Sequence, residues 1–342
     1  MPSLILSGDT ISVRLQSQRL EVIRWVEVGT TRESRMSVPI ADIDRVVVIG
    51  HPNLTIPVLQ RLMFDGIPTY FLTSRGRWIG TLTPDNNKNS ARRIRQYQMN
   101  ADHGFSLKVA RALVQAKIKN SRRVLQRLSA NRQESSLDAQ QQADQKLAVL
   151  VDETAGVESM ESLRGMEGLA AARYFERLAD FFPSHVPFRG RSRRPPRDPA
   201  NALLSWTYTI LLGEVEGAVR AHGLDAGIGF LHEISYGTPC LPLDLMEPLR
   251  APVCDLLVLN ILNHRILTDE DFEYHAMEGG YYLKENAHRT FFQSYESAMI
   301  RKFTPVKGES HTDFRAVIQE GVMTILRGMD GGEPEPEFFL MP

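Results

Sequence analysis

This chain is short of the features that most quickly classify a protein. Its 342 residues include two cysteines, Cys240 and Cys254, too few for a disulfide framework or a cysteine zinc site. No apolar run approaches the length needed to span a bilayer, so no membrane role is expected. The amino terminus, MPSLILSGDT, lacks a basic stretch followed by a long apolar core, and the expected compartment is the cytoplasm. Net charge is nearly absent too, at −1, which by itself argues against a nucleic-acid partner. What remains, 42% hydrophobic and 24% charged residues, is ordinary for a soluble chain long enough for two domains with cores.

The near-zero total hides a segregation of charge. From Arg92 to Arg132 there are eleven Lys or Arg against one acid, Asp102. A second run, FRGRSRRPPRD, packs Arg189, Arg191, Arg193, Arg194 and Arg197 into nine positions. Acids gather elsewhere, including the EPEPE tail. Such segregation creates a local positive field suited to a polyanion.

Periodicity divides the chain into an α+β arrangement, a small β-rich amino-terminal domain followed by a larger all-α domain. Residues 1–83 contain short β-branched or aromatic runs at Val22–Val28, Val46–Ile49, Thr69–Leu72 and Trp78–Leu82, with one helix at Ile56–Phe64. The polar, turn-rich PDNNKNS (84–90) reads as a linker. Residues 91–330 are then mainly helical. Ala110, Val114, Ile118, Ser121, Leu125 and Leu128 form one apolar stripe, with the basic residues on the other faces toward solvent. Gln- and Ser-rich 132–148 reads as a weak helix or a loop, and 279–292 as a short hairpin. Residues 331–342 lack periodicity and are expected to be disordered.

Chemistry concentrates in two stretches, GMEGLAAARYF (165–175) and GFLHEISYGTPCLPLDLMEPLR (229–250). On a helix, Glu167 shares its face with Leu163, Ala170, Ala171 and Tyr174, the face that should be buried. A buried carboxylate needs a cation or a strong hydrogen-bond network, which a structural ion pair with an arginine or a metal would both provide. Asp244 and Glu247, at i and i+3, lie on one edge of a helix amid Leu243, Leu245, Met246 and Leu249. First-turn acids complementing a helix dipole are the plainer explanation, but they account poorly for acids in an apolar run. A lone histidine such as His232 is more often a satisfied core residue than a ligand, unless it converges with the acids. Were they to converge, these are the hard and borderline donors of a divalent-metal site. Asp198 and Pro199 open the helix ANALLSWTYTILL as N-cap and first residue, anchoring the arginine run beside Asn201, Ser205 and Tyr208. Such a loop suits phosphate positioning.

These segments, in this order, resemble the CRISPR-associated integrase of the adaptation module, the universal Cas-one family. The glutamate helix ending in Arg-Tyr-Phe, RSRRPPRDPANALLSWTYTIL, GFLH followed by LPLDLMEPLR, and the basic helix ARALVQAKIKNSRRVLQR carry the resemblance over nearly the whole chain. It implies that the β-rich domain mediates a homodimer and that the α-helical domain is catalytic. It implies a Mn²⁺ or Mg²⁺ site with Glu167, His232 and Glu247 as catalytic ligands and Asp244 in or next to that shell. Arg189, Arg191, Arg193, Arg194, Arg197, Lys117, Arg122 and Asn201 would then contact DNA. Expected partners are double-stranded DNA with 3′ ends, CRISPR repeat DNA and the small CRISPR adaptation subunit. In many members the last carboxylate is Asp, where this chain has Glu247. No cysteine cluster of a fused iron–sulfur nuclease is present.

The activity implied is spacer acquisition, the joining of fragment 3′-hydroxyls to phosphodiesters of the repeat, with accompanying endonuclease activity. Two other readings compete with it. One is a general metal-dependent nuclease for branched or single-stranded DNA, which would use the same residues. The other is a non-catalytic DNA-binding scaffold, which would leave the cluster without metal.

Overall fold

Two four-stranded sheets build the amino-terminal part of the computed structural model, which describes residues 3–28, 30–83, 89–130, 137–192, 195–306, 311–331 and 335–342. The strands are β1 (Ser3–Ser7), β2 (Ile11–Gln16), β3 (Arg19–Val28), β4 (Thr30–Pro39), β5 (Arg45–Ile49), β6 (Asn53–Leu54), β7 (Thr69–Leu72) and β8 (Trp78–Leu82), with α1 (Ile56–Phe64) before β7. One sheet has the order β1-β5-β7-β8 and the other β4-β3-β2-β6. In the first, β5 pairs in parallel with both β1 and β7. Strands of this kind are covered on both faces and read as continuous apolar runs, as RVVVI does. Val46 and Val48 join Leu4, Leu6, Val13, Leu20, Val58 and Leu62 in a core under the second sheet and α1. Val47 and Ile49 point the other way, into the core of the helices.

The helical part comprises α2 (Ser90–Ala101), α3 (His103–Ala130), α4 (Leu137–Ala155), α5 (Met160–Leu178), α6 (Pro199–Ala221), α7 (Cys240–Met246), α8 (Leu256–Asn263), α9 (His288–Ile300) and α10 (Phe314–Met329). Helix α6 runs through the centre and presses on the first sheet through Gly213 and Gly217, four residues apart. A Cβ on Gly217 would collide with the Tyr70 phenol, and one on Gly213 with the Trp78 ring. Around this contact, Arg45 of β5 is almost fully buried. It donates to Ser3 Oγ (2.5 Å) and to Glu296 of α9 (2.6 Å), and it ion-pairs with Glu214 of α6. Arg315 of α10 adds a second cation, 2.7 Å from Glu296.

His288 closes the same interface. Its ring stacks on Trp206, and its Nδ1 lies 2.8 Å from Ser7 Oγ. Burial lowers its pKa to about 4 from the ordinary 6.5. The folded state therefore resists protonation that the unfolded chain accepts. The stability this group contributes is complete above pH 6.5 and is lost as pH falls through about 4. Urea unfolding of wild type and His288→Phe, compared between pH 7.5 and 4.5, should show the wild type losing more stability; parallel pH curves would refute this.

Several expectations need correction. Of the two readings of 132–148, a weak helix or a loop, the helix holds from Leu137 onward and is the first part of the 19-residue α4, whose Ala143, Leu147 and Leu150 reach the core. The hairpin starts earlier than 279–292: β9 (Phe272–His275) pairs with β10 (Gly280–Leu283), so only its second strand falls in that segment, and the chain then turns into α9. The tail is not loose where it is described. Phe339 packs against Phe303 and Phe314, Met341 is buried, and Asn120 donates to Phe339 O (2.9 Å) while accepting from Met341 N (2.8 Å). Aromatic anchors and side-chain brackets, invisible to periodicity, hold it. The expected linker lies mostly outside the described residues. No helix among the described residues is long and apolar enough to cross a membrane.

Candidate active site

Asp244 on α7 organises the site. It is fully buried, and the segment 229–232 crosses it so that the backbone N–H groups of Phe230, Leu231 and His232 donate to its oxygens at 2.5, 3.0 and 2.9 Å. Gly229 permits this approach, since a Cβ there would lie 2.5 Å from Asp244 Oδ2. His232 Nδ1 lies 2.6 Å from Asp244 Oδ1. Four donors thus fill the roughly four lone-pair sites of one carboxylate. In the neutral imidazole this places the proton on Nδ1 and leaves the Nε2 lone pair outward. Nε2 lies 3.8 Å from Glu247 Oε1. Asp244 is therefore an orienting group, with no free oxygen to offer a metal.

Glu247 stands where the helix changes pitch. After α7 comes a 3₁₀ turn, Glu247–Leu249, and then a π turn, Arg250–Asp255. Pro252 has no N–H, so the Pro248 carbonyl four residues earlier lacks its α-helical donor. Asn120 of α3 supplies one, at 2.7 Å. Arg250 Nε donates to Glu247 Oε1 at 2.9 Å. Burial would raise the Glu247 pKa, but Arg250, then Lys117 and His232, hold it down at about 2. The group is an anion at neutral pH despite being 5% exposed.

Glu167 reaches the same place from α5; on its face Leu163, Ala170 and Tyr174 are buried, while Ala171 and Glu167 itself are only partly so. Arg164 ties α5 to the histidine segment by donating to Leu231 O at 2.8 Å. Glu167 ion-pairs with Lys117 of α3, and the same ammonium lies 2.6 Å from Glu247 Oε2. The structural ion pair allowed for by the sequence is present, with lysine in place of arginine. As the side chains stand, no group of three His, Cys, Asp or Glu among the described residues could hold a metal ion. Their donor chemistry still fits one: two carboxylates that already share one cation, the buried Glu247 among them anionic, and an imidazole lone pair.

The expected DNA contacts divide. Lys117 does not face solvent; it lies between two carboxylates with 12% of its side chain exposed. Arg122 is held in a fork by Asp144 of α4, at 2.8 Å through both Nε and a terminal nitrogen. Asn201 is fully buried and acts as a bracket, donating to Gly190 O and Asp198 and accepting from Arg191 and Ser192 N. Arg191 is turned inward onto Asn201 (2.9 Å) and Ser205 (3.1 Å). Arg189 and Arg197 are exposed, while Arg193 and Arg194 lie outside the described residues. The loop's far side is pinned by Pro196 O, which accepts from Tyr281 N of β10 at 2.9 Å.

One connection escaped the sequence. The Tyr208 ring lies between the guanidiniums of Arg191 and Arg250, 5.3 and 5.0 Å from its centroid. Its hydroxyl donates to buried Asp255 at 2.5 Å, as does that of Tyr174 at 2.9 Å. Burial pushes Asp255 up to about 6, against these two hydroxyls and the two arginines. Arginine loop and carboxylate cluster are thus mechanically linked. The available signal was an acid inside the apolar run VCDLLVLN.

Fold and cluster together define a two-domain protein whose β-rich module is locked to a helical one carrying a histidine–carboxylate site. The chain belongs to the family described as CRISPR associated protein Cas1, whose family model matches residues 4–297. It is 33% identical over 309 residues to CRISPR-associated endonuclease Cas1 3 of Thermus thermophilus, covering 90% of this chain and 89% of that one. Among solved structures, a casposase bound to integration product shares the fold at a TM-score of 0.86, with 23% identity over 99% of this chain and 93% of that one. A Cas6-RT-Cas1–Cas2 complex matches at 0.81, with 24% identity over all of this chain and 36% of that one.

Proposed function

We propose that this protein is a metal-dependent DNA integrase of CRISPR adaptation, joining the 3′-hydroxyl ends of short DNA fragments to phosphodiesters of the repeat. The observation that carries the reading is the fourfold-satisfied Asp244, which aims the His232 lone pair at Glu247 beside Glu167. Glu167, His232 and Glu247 would hold Mn²⁺ or Mg²⁺. When bound, the ion supplies Lewis-acid stabilisation of charge on the scissile phosphate. The chain's own residues do the rest. Asp244 fixes the imidazole, Arg250 fixes Glu247, and exposed Arg189 and Arg197 grip phosphates without reading bases. In the transfer, a new P–O bond forms to the fragment's 3′-oxygen and the repeat's own P–O bond breaks. The proton lost by the attacking hydroxyl ends on the leaving oxygen.

Endonuclease activity, the property named for the Thermus relative, follows when water replaces the hydroxyl. The casposase bound to integration product and the Cas1–Cas2 assembly support DNA joining and a small adaptation subunit as partner, with a homodimer through the β-rich domain and a cytoplasmic location as part of the same proposal. The deciding assay incubates the protein and its adaptation subunit with a labelled 3′-OH fragment and a repeat-bearing plasmid. Label should join the plasmid with Mn²⁺ and fail to join with a chelator. Cut but never joined DNA would favour the general nuclease, and joining unaffected by chelation would refute the metal role.

Asp244→Asn tests the orienting role. The amide cannot accept all four donors, so His232 loses its fixed orientation. Mn²⁺ affinity, measured by calorimetry, should fall about 10–100-fold, the usual cost of losing such a partner. An unchanged affinity would remove Asp244 from the argument.

A further inference from the structure

We propose that the Lys117 ammonium and the divalent ion compete for one position, so that Lys117 sets how tightly the ion is held. The inference rests on the metal reading above and adds a residue to it. Glu167 comes from α5 and Glu247 from the 3₁₀ turn after α7, and Glu247 is buried. Two such anions side by side repel unless a cation stands between them. In the structure that cation is Lys117, ion-paired to both. Its backbone is held in place from the same helix. Asn120, three residues on, caps the Pro248 carbonyl next to Glu247.

Chemistry decides which cation suits the cluster better. An ammonium has three donors and no way to use a lone pair. It neutralises the carboxylates but gains nothing from His232 Nε2, which faces Glu247 from 3.8 Å. A divalent ion uses both carboxylates and the imidazole together. Lys117 therefore stabilises the metal-free site and yields to the ion. Its four-carbon stem lets the ammonium swing aside while remaining near the cluster, where it can pair with a phosphate.

The test is Mn²⁺ calorimetry on the full chain, using wild type, Lys117→Met and Lys117→Gln, with melting temperatures taken with and without Mn²⁺. If the ammonium occupies the position about nine-tenths of the time, both variants should bind Mn²⁺ about tenfold more tightly than wild type. Without metal both should melt lower than wild type, and Mn²⁺ should raise their melting temperatures more than it raises that of wild type. Should Lys117→Met fail to fold, Lys117→Gln, which keeps a donor toward the carboxylates, gives the same comparison. Equal or weaker Mn²⁺ binding in the variants overturns the competition while leaving the metal reading intact. No Mn²⁺ binding by any of the proteins overturns both.

Discussion

Glu167→Ala and His232→Ala should each lower strand transfer by about 10³-fold while leaving DNA binding within a few-fold of wild type. A Lewis acid at the scissile phosphate is worth several kcal/mol, and about 4 kcal/mol corresponds to that factor. DNA affinity, by contrast, comes mostly from Lys and Arg contacts to phosphates, which neither substitution removes. The two variants differ in what they leave behind. In Glu167→Ala, Lys117 keeps only Glu247 as partner. In His232→Ala, Asp244 retains three backbone donors, so the segment 230–232 should hold its course. Joined product quantified on gels, beside binding titrations at two salt concentrations, separates the effects. Wild-type joining by either variant would show that the ligand assignment is wrong. A parallel loss of binding would mean that the substitution had disturbed the fold instead.

The second large effect concerns stability. Arg45→Met should destabilise the protein by about 3–5 kcal/mol, the cost of removing one partner from a buried ion pair. Glu214 and Glu296 would be left facing each other, with Arg315 as the remaining cation, 3.5 Å from Glu214 and 2.7 Å from Glu296. Burial favours neutral Arg45, but Glu214 and Glu296 hold its pKa above the ordinary arginine value, so the charge is firmly kept. Domains are commonly stable by only about 5–15 kcal/mol, so a loss of this size is a large fraction of the whole. Urea unfolding is the measurement. The double variant Arg45→Met with Glu214→Leu should recover part of the loss, because it removes the stranded anion as well. A midpoint unchanged in Arg45→Met would show that the interface is held by packing alone.

The sequence revealed elements where periodicity and burial coincide. Strand β5 and helix α1 are examples, and so is the stripe of α3 from Ala110 to Leu128. It also marked Glu167, His232, Asp244 and Glu247, because charge and imidazole stand out in apolar surroundings. It failed where a side chain's partner lies far along the chain. Lys117 looked like one more cation on a basic helix, and only the approach of α5 and the segment after α7 shows it between two acids. Asn201 and Arg122 show a different limit: a polar residue at the right helical offset is equally suited to bracket neighbouring chain or to face a ligand. The role of Asp244 could not be deduced either, since it depends on three backbone N–H groups, which carry no sequence signal.

The π turn at Arg250–Asp255 has a bearing on how this protein tolerates change in length. A wide turn takes up one more residue than an α-helical turn, and here that residue is spare. Deleting one residue there, such as Ala251, would remove the spare residue and let the segment relax to α-helical pitch, with Asp255 keeping nearly its angular position relative to Arg250. Asp255 would still turn toward the hydroxyls of Tyr174 and Tyr208, and the apolar face of α8 would stay on the core side. The same deletion within α8, where no spare residue absorbs it, would turn the rest of that helix by about 100° and take its apolar face off the core in a single step.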